Sequence, residues 1–121
     1  TLETIVPNVD IVITDDVRGY GGVTITTSGT GAVDVQNAWS SLEGYNVVVN
    51  TSNFTNDGDL FGYNWVTSQS GTITIQNPSG DLVINSLGTN VDTSLDLNGF
   101  TGGTINILAP NGSLTMPGVT L

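Results

Sequence analysis

Apolar and polar residues alternate with a period of two along most of this 121-residue chain. Val9-Asp-Ile-Val-Ile-Thr14, Val23-Thr-Ile-Thr-Thr27, Ala32-Val-Asp-Val-Gln36 and Thr72-Ile-Thr-Ile-Gln76 each put aliphatic side chains on one face and mostly polar ones on the other. Successive side chains of an extended backbone point to opposite faces, so this is the mark of half-buried strands. The alternation predicts strands over 9–14, 23–27, 32–36, 47–50, 72–76, 81–85, 94–97, 104–108 and 113–116, with a last one at 119–121. No segment carries a convincing 3.6-residue period; a short helix around Asn37 to Leu42 is the one exception to consider. The chain is therefore expected to be all-β, a single domain over residues 1–121.

One strand–turn–strand unit recurs. Gly71-Thr-Ile-Thr-Ile-Gln-Asn-Pro-Ser-Gly80-Asp-Leu-Val-Ile84 aligns without a gap on Gly103-Thr-Ile-Asn-Ile-Leu-Ala-Pro-Asn-Gly112-Ser-Leu-Thr-Met116, 32 residues later. Gly21 to Val35 is a looser copy. In Asn77-Pro-Ser-Gly80 and Ala109-Pro-Asn-Gly112, Pro fixes φ early in the turn and Gly ends it. Two arrangements fit. As hairpins of a β-sandwich or jelly-roll-like domain, Ile75 opposes Leu82, Ile73 opposes Ile84, Ile107 opposes Leu114 and Ile105 opposes Met116. As a short parallel β-solenoid, the same residues point inward while the chain turns a corner between the two strands. Either way the expected core is Ile11, Ile13, Val23, Ile25, Val33, Val35, Ile73, Ile75, Leu82, Ile84, Leu95, Leu97, Ile105, Ile107 and Leu114. Residues 1–8, ending just beyond Pro7, read as an N-terminal extension or an exchanged strand. Residues 51–64 read as a loop insertion that interrupts the repeat. Opening on Thr1 with no signal peptide in view, the chain is expected to be a processed mature form or a piece of something longer.

Composition narrows the chemistry. There is no cysteine and no histidine, which removes disulfides, thiol nucleophiles and imidazole catalysis. Eleven acidic residues stand against a single cation, Arg18, for a net charge of −10. Such a chain is expected to avoid nucleic acid and anionic membranes. No apolar run is long enough for a spanning helix. Without a nucleophile–base pair, the chain is expected not to be an enzyme; a carbohydrate-active β-helix using Asp residues is the rival.

Few constellations remain. Asn53, Thr55, Asp57 and Asp59 hold oxygen ligands at alternate positions, with Gly58 and Leu60 placed as in an acidic calcium loop. The closing position is Asn64 rather than Glu. Asp10, Asp15, Asp16, Asp34, Asp81, Asp92 and Asp96 are scattered, with no spacing that pairs them. Trp39, Tyr45, Phe54, Tyr63 and Trp65 are core pieces or a stacking platform for sugars. Sequons at Asn50, Asn53 and Asn111 are no more than composition predicts. Thr24/Thr26 and Thr72/Thr74 are too few rungs for an ice-binding ladder.

Gly102 to Met116 resembles passenger repeats of filamentous haemagglutinin-like secreted adhesins. Ile25 to Val35 resembles equally the Gly-Thr-Gly repeats of tailed-phage fibre and virion proteins. The adhesins' resemblance implies a right-handed β-helix at a bacterial surface; both imply non-enzymatic β structures that assemble outside a cell. The expected role is thus a structural subunit or module of an extracellular filament, fibre or adhesin. The alternative is a virion component, such as a tail fibre or capsid decoration protein, with a carbohydrate-binding module behind it. The expected partners are copies of itself through sheet edges, and cell-surface glycans.

Overall fold

The computed structural model describes residues 1–64, 69–88, 90–93, 103–117 and 119. Its strands come three to a coil. The first coil holds β1 (Leu2–Glu3), β2 (Ile11–Ile13) and β3 (Val17–Gly19); the second holds β4 (Val23–Thr26), β5 (Ala32–Val35) and β6 (Ser41–Gly44). The third holds β7 (Asn46–Asn50), β8 (Asn53–Asn56) and β9 (Asp59–Asn64), followed by the short β10 (Gln69–Ser70). The fourth holds β11 (Thr72–Gln76), β12 (Leu82–Ser86) and β13 (Asn90–Asp92), and the fifth opens with β14 (Thr104–Leu108) and β15 (Leu114–Thr115). Equivalent strands stack into three sheets: A, β1-β4-β7-β11-β14; B, β2-β5-β8-β12-β15; and C, β3-β6-β9 with β13 on the far side of β9. All pairings between coils are parallel, and only β10 lies antiparallel, on β9. The chain is all-β, a short parallel β-solenoid, with no helix among the described residues.

The solenoid is adopted over the hairpin. Ile75 is flanked by Val49 and Ile107 in neighbouring coils, and Leu82 by Leu114, so Ile75 and Leu82 stand on different sheets. The Asn77–Asp81 turn is a corner. Asn77 Oδ1 accepts from Ser79 N (3.2 Å), and its Nδ2 donates to the Asp81 carbonyl (2.7 Å). The next corner stacks on this one: Asn111 Nδ2 donates to the Pro78 carbonyl (2.7 Å) and Ser113 N to Asp81 Oδ1 (2.8 Å). The Ser113 N–H holds the Asp81 carboxyl below its ordinary pKa.

Register places like on like. The inward rows are Val23–Val47–Ile73–Ile105 and Leu2–Ile25–Val49–Ile75–Ile107 on sheet A, Ile11–Val33–Phe54–Ile84 on sheet B, and Val17–Leu42–Leu60–Val91 on sheet C. Rows of the three sheets meet along one axis and form the core. Each fully buried aliphatic contributes roughly 1.5–3 kcal/mol.

Several sequence expectations are corrected. Residues 51–64 are not a loop insertion, because β8 and β9 occupy them and Phe54 and Leu60 are fully buried. Asn37–Ser40 is a tight turn (Ser40 N donates to the Asn37 carbonyl at 3.0 Å), followed by strand β6 rather than helix. In residues 1–8, Leu2–Glu3 is the first strand of sheet A, paired with Ile25 and Thr26 of its own chain. Ile105 and Leu114, expected in the core, are exposed because they lie on the last strands of their sheets. Leu95, Leu97 and the predicted strand 94–97 lie outside the described residues, as do Thr120 and Leu121 of the predicted strand 119–121.

The corners from sheet A to sheet B differ in length. Residues 4–10 form the first, 27–31 the second and 77–81 the fourth, while the third is only Thr51-Ser52.

Candidate functional site

The two ends of the coil are the least satisfied surfaces. In the middle coils, Ile25, Val47, Val49, Ile73 and Phe54 are completely buried. The equivalent rows open toward solvent at the termini: Leu2 is 42% exposed, Ile105 46% and Leu114 43%. Among the described residues, the edge strands β1 and β2 at one end, and β14 and β15 at the other, each have a hydrogen-bonded neighbour on one side only. Edge strands of this kind present unpaired N–H and C=O groups to any further strand. The ends also differ in charge. The first coil carries Glu3, Asp10, Asp15, Asp16 and Arg18, whereas residues 103–121 contain no ionisable side chain.

A second feature is the outer face of sheet C. Gly19, Gly44 and Gly62 form one inward row, and each is followed by a tyrosine: Tyr20, Tyr45 and Tyr63. A side chain has no room at Gly44, where a Cβ would meet the Gly19 carbonyl oxygen at 2.7 Å. Outside this row Arg18, Glu43, Phe61 and Asp92 align. Arg18 bridges Asp16 Oδ2 (2.9 Å) and Glu43 Oε2 (3.0 Å), and Ser41 Oγ shares its one proton between Asp16 Oδ1 (2.9 Å) and Glu43 Oε1 (2.8 Å). Phe61 and Tyr63 stack with centroids 5.4 Å apart. Burial, then the Glu43 and Asp92 charges, push the Tyr63 hydroxyl up to about 12, with Arg18 opposing. The ion pairs and the Ser41 hydroxyl tie the first coil to the second, and the Phe61–Tyr63 pair continues the same face on the third. The recurring Gly-Tyr pair is the sequence signal for the glycine row, which alternation alone does not reveal.

The residues proposed for calcium fall on a strand and a corner. Asn53 and Thr55 lie on β8, and both accept from Asn85 Nδ2 (2.7 and 3.0 Å). Asp57 is exposed at the corner, and Asp59 opens β9, accepting from Asn90 Nδ2 at 3.0 Å. Among the described residues no three His, Cys, Asp or Glu side chains gather as metal ligands do. The aromatics separate: Phe54 is core, Tyr63 is buried on the outer face of sheet C, Trp39 is 89% exposed on a turn, and Trp65 lies outside the described residues. Thr24/Thr26 and Thr72/Thr74 share the outer face of sheet A but are separated by Val48 and Asn50 of the strand between them. Asp10 Oδ1 and Asp81 Oδ1 hold backbone N–H groups of the next coil, and Asp96 lies outside the described residues. Comparison of the chain with protein-family models, curated proteins and solved structures gives no match.

Proposed function

We propose that this chain is a non-enzymatic structural module of an extracellular assembly, a filament, fibre or adhesin, that grows by stacking coil ends. The observation that carries this reading is the opening of the inward rows at both ends. Leu2 continues the buried row Ile25–Val49–Ile75, Ile105 continues the buried row Val23–Val47–Ile73, and Leu114 pairs with buried Leu82. A further coil bearing the same pattern covers these residues and pairs the edge strands in one step. The charge asymmetry supports opposite ends meeting: the acidic first coil faces an uncharged last coil, whereas two first coils repel.

The test is electron microscopy and sedimentation of the whole chain at increasing concentration. Filaments or an end-on ladder of oligomers are expected. Ile105→Lys with Leu114→Lys places charge on the edge and is expected to leave monomers. Closed particles of threefold symmetry would favour the virion component instead. A chain that stays monomeric at high concentration would sink both.

A further inference from the structure

The corners between sheets A and B create a notch. The third corner, Thr51-Ser52, is three residues shorter than its neighbours at 27–31 and 77–81. It is therefore sunk between two projecting walls. The resulting groove has a volume of about 400 Å³, inside the roughly 300–1,000 Å³ range of small-ligand sites. It spans three coils, roughly 10 Å at the usual strand spacing.

Both walls are fixed. In the lower wall Gly29 takes a φ of +63°, and Asn8 Oδ1 accepts from both Thr30 N (2.8 Å) and Thr30 Oγ1 (3.0 Å). In the upper wall Asn77 closes the corner on Ser79 and Asp81, and Asn111 holds the Pro78 carbonyl. Beneath the floor Thr27 Oγ1 donates to Thr51 Oγ1 at 2.8 Å, both buried. A groove with pre-set walls loses little entropy on binding.

Its lining is chemically uniform. Every residue that lines it is Thr, Ser, Gly, Asn, Gln or Pro, without one ionisable group, in a chain of net charge −10. The outward row Thr26–Asn50–Gln76 runs along the groove as a directed chain. Gln76 Nε2 donates to Asn50 Oδ1 (2.9 Å), and Asn50 Nδ2 donates to Thr26 Oγ1 (3.1 Å). That polarises the row, and among the described residues Gln76 Oε1 accepts no hydrogen bond. No charge is available to hold an anion or a cation, and Pro78 alone offers an apolar ring. Amides and hydroxyls that both donate and accept match a ligand whose groups do the same. We infer that this notch binds a neutral oligosaccharide, lying across the second to fourth coils. The inference is independent of the assembly reading.

The probes are tri- to hexasaccharides of neutral glucan, galactan, mannan and N-acetylglucosamine series, with uronate and sulfated oligosaccharides beside them, titrated into the full chain. At least one neutral series is expected to bind and to shift the amide resonances of residues 26–29, 50–52 and 76–79. Ser52→Trp fills the notch and is expected to abolish binding. Gln76→Ala removes the open acceptor and is expected to weaken binding about tenfold, the worth of one hydrogen bond. Because Gln76 is on the outer face of its sheet, its variant keeps the wild-type dichroism spectrum and tests the site even where Ser52→Trp misfolds. Absence of neutral binding at millimolar concentration overturns the inference. So does preference for the acidic sugars, or binding that maps to another surface.

Discussion

The sharpest consequence of coil stacking is that one substitution, Gly→Ala, has opposite outcomes at Gly71 and Gly21. A Cβ at Gly71 would stand 1.8 Å from the Tyr45 carbonyl oxygen and 3.0 Å from the Gly62 carbonyl oxygen. Both obstacles are backbone, so no side chain can swing aside. To reach an ordinary contact beyond 3.4 Å, the fourth coil must lift from the third by well over an ångström. Three hydrogen bonds cross this spot: Gly71 N to the Gly62 carbonyl (2.8 Å), Thr72 N to the Tyr45 carbonyl (2.9 Å) and Thr104 N to the Gly71 carbonyl (3.0 Å). At about 1 kcal/mol each, and more where a buried group stays unpaired, their distortion costs roughly 3–5 kcal/mol. At Gly21 a Cβ meets nothing within 4 Å, and φ is not in the left-handed region. There the methyl group only restricts the unfolded chain, a gain of roughly 0.4–1 kcal/mol.

The assay is thermal and urea unfolding of both variants followed by far-ultraviolet dichroism. For a domain of this size 1 kcal/mol moves the midpoint by roughly 3–5 °C. Gly71→Ala is expected to melt at least 10 °C below wild type, and Gly21→Ala at or slightly above it. A Gly71→Ala protein within 2 °C or so of wild type would refute the close stacking of Gly71 over Tyr45 and with it the register of sheet A.

Asn56 is completely buried, donating to the Leu87 carbonyl (2.7 Å) and the Gly58 carbonyl (3.2 Å) and accepting from Gly58 N (3.2 Å). Asn56→Ala is expected to cost roughly 2–4 kcal/mol in urea unfolding, and a loss under 1 kcal/mol contradicts the network. Tyr63 keeps its proton to about 12 when folded, against 10.0 when unfolded. Stability is then full below pH 10 and falls as pH rises toward 12, by roughly 2–3 kcal/mol in all. Tyr63→Phe should flatten that fall in denaturation measured from pH 9 to 12, and an unchanged fall argues against it. With residues 53–59 laid out as a strand and a corner, calcium is expected to give equal calorimetric heats with wild type and with Asp57→Ala/Asp59→Ala. A heat present only in wild type would establish a calcium site there.

Sheets A and B were readable because most of their strands place two aliphatics inward, as Val23 and Ile25 or Val33 and Val35 do. Sheet C was not, because its strands carry one each: Val17, Leu42, Leu60 and Val91. A single apolar residue flanked by Gly, Arg or Glu has no period to detect. β8 was hidden for another reason. Its second inward slot, level with Ile13 and Val35, is taken by Asn56, whose amide is satisfied by backbone that is distant in sequence. The choice between hairpin and coil is likewise non-local, since both use the same corner. Coil lengths of 24, 26 and 32 residues along sheet A, from Ile25 to Val49 to Ile75 to Ile107, blur the repeat that would have announced it. The polar notch is visible only as a corner that is too short, which requires knowing first that it is a corner.

For the assembly proposed above, the direction of growth would follow from where charge and edges lie. Joining a last coil to a first coil continues the parallel pairing already made between β1 and β4. Like ends would meet antiparallel, and two first coils would bring Glu3, Asp10, Asp15 and Asp16 against their copies. A contact between opposite ends is heterologous and propagates along the coil axis, so it grows openly unless that axis bends into a ring. A closed threefold particle must instead use the flanks. Sheet B carries Asp34 outward and sheet C carries Glu43, Asp59 and Asp92, whereas on sheet A the outward row Thr24–Val48–Thr74–Asn106 holds no charge and Glu3 stands at the edge of the row beside it. The two modes therefore separate by substitution. Val48→Glu with Thr74→Glu should dissolve a closed particle and leave filaments intact, whereas Ile105→Lys with Leu114→Lys should do the reverse. Filaments lost to the first pair and retained by the second would show that growth runs through sheet A and not through the coil ends.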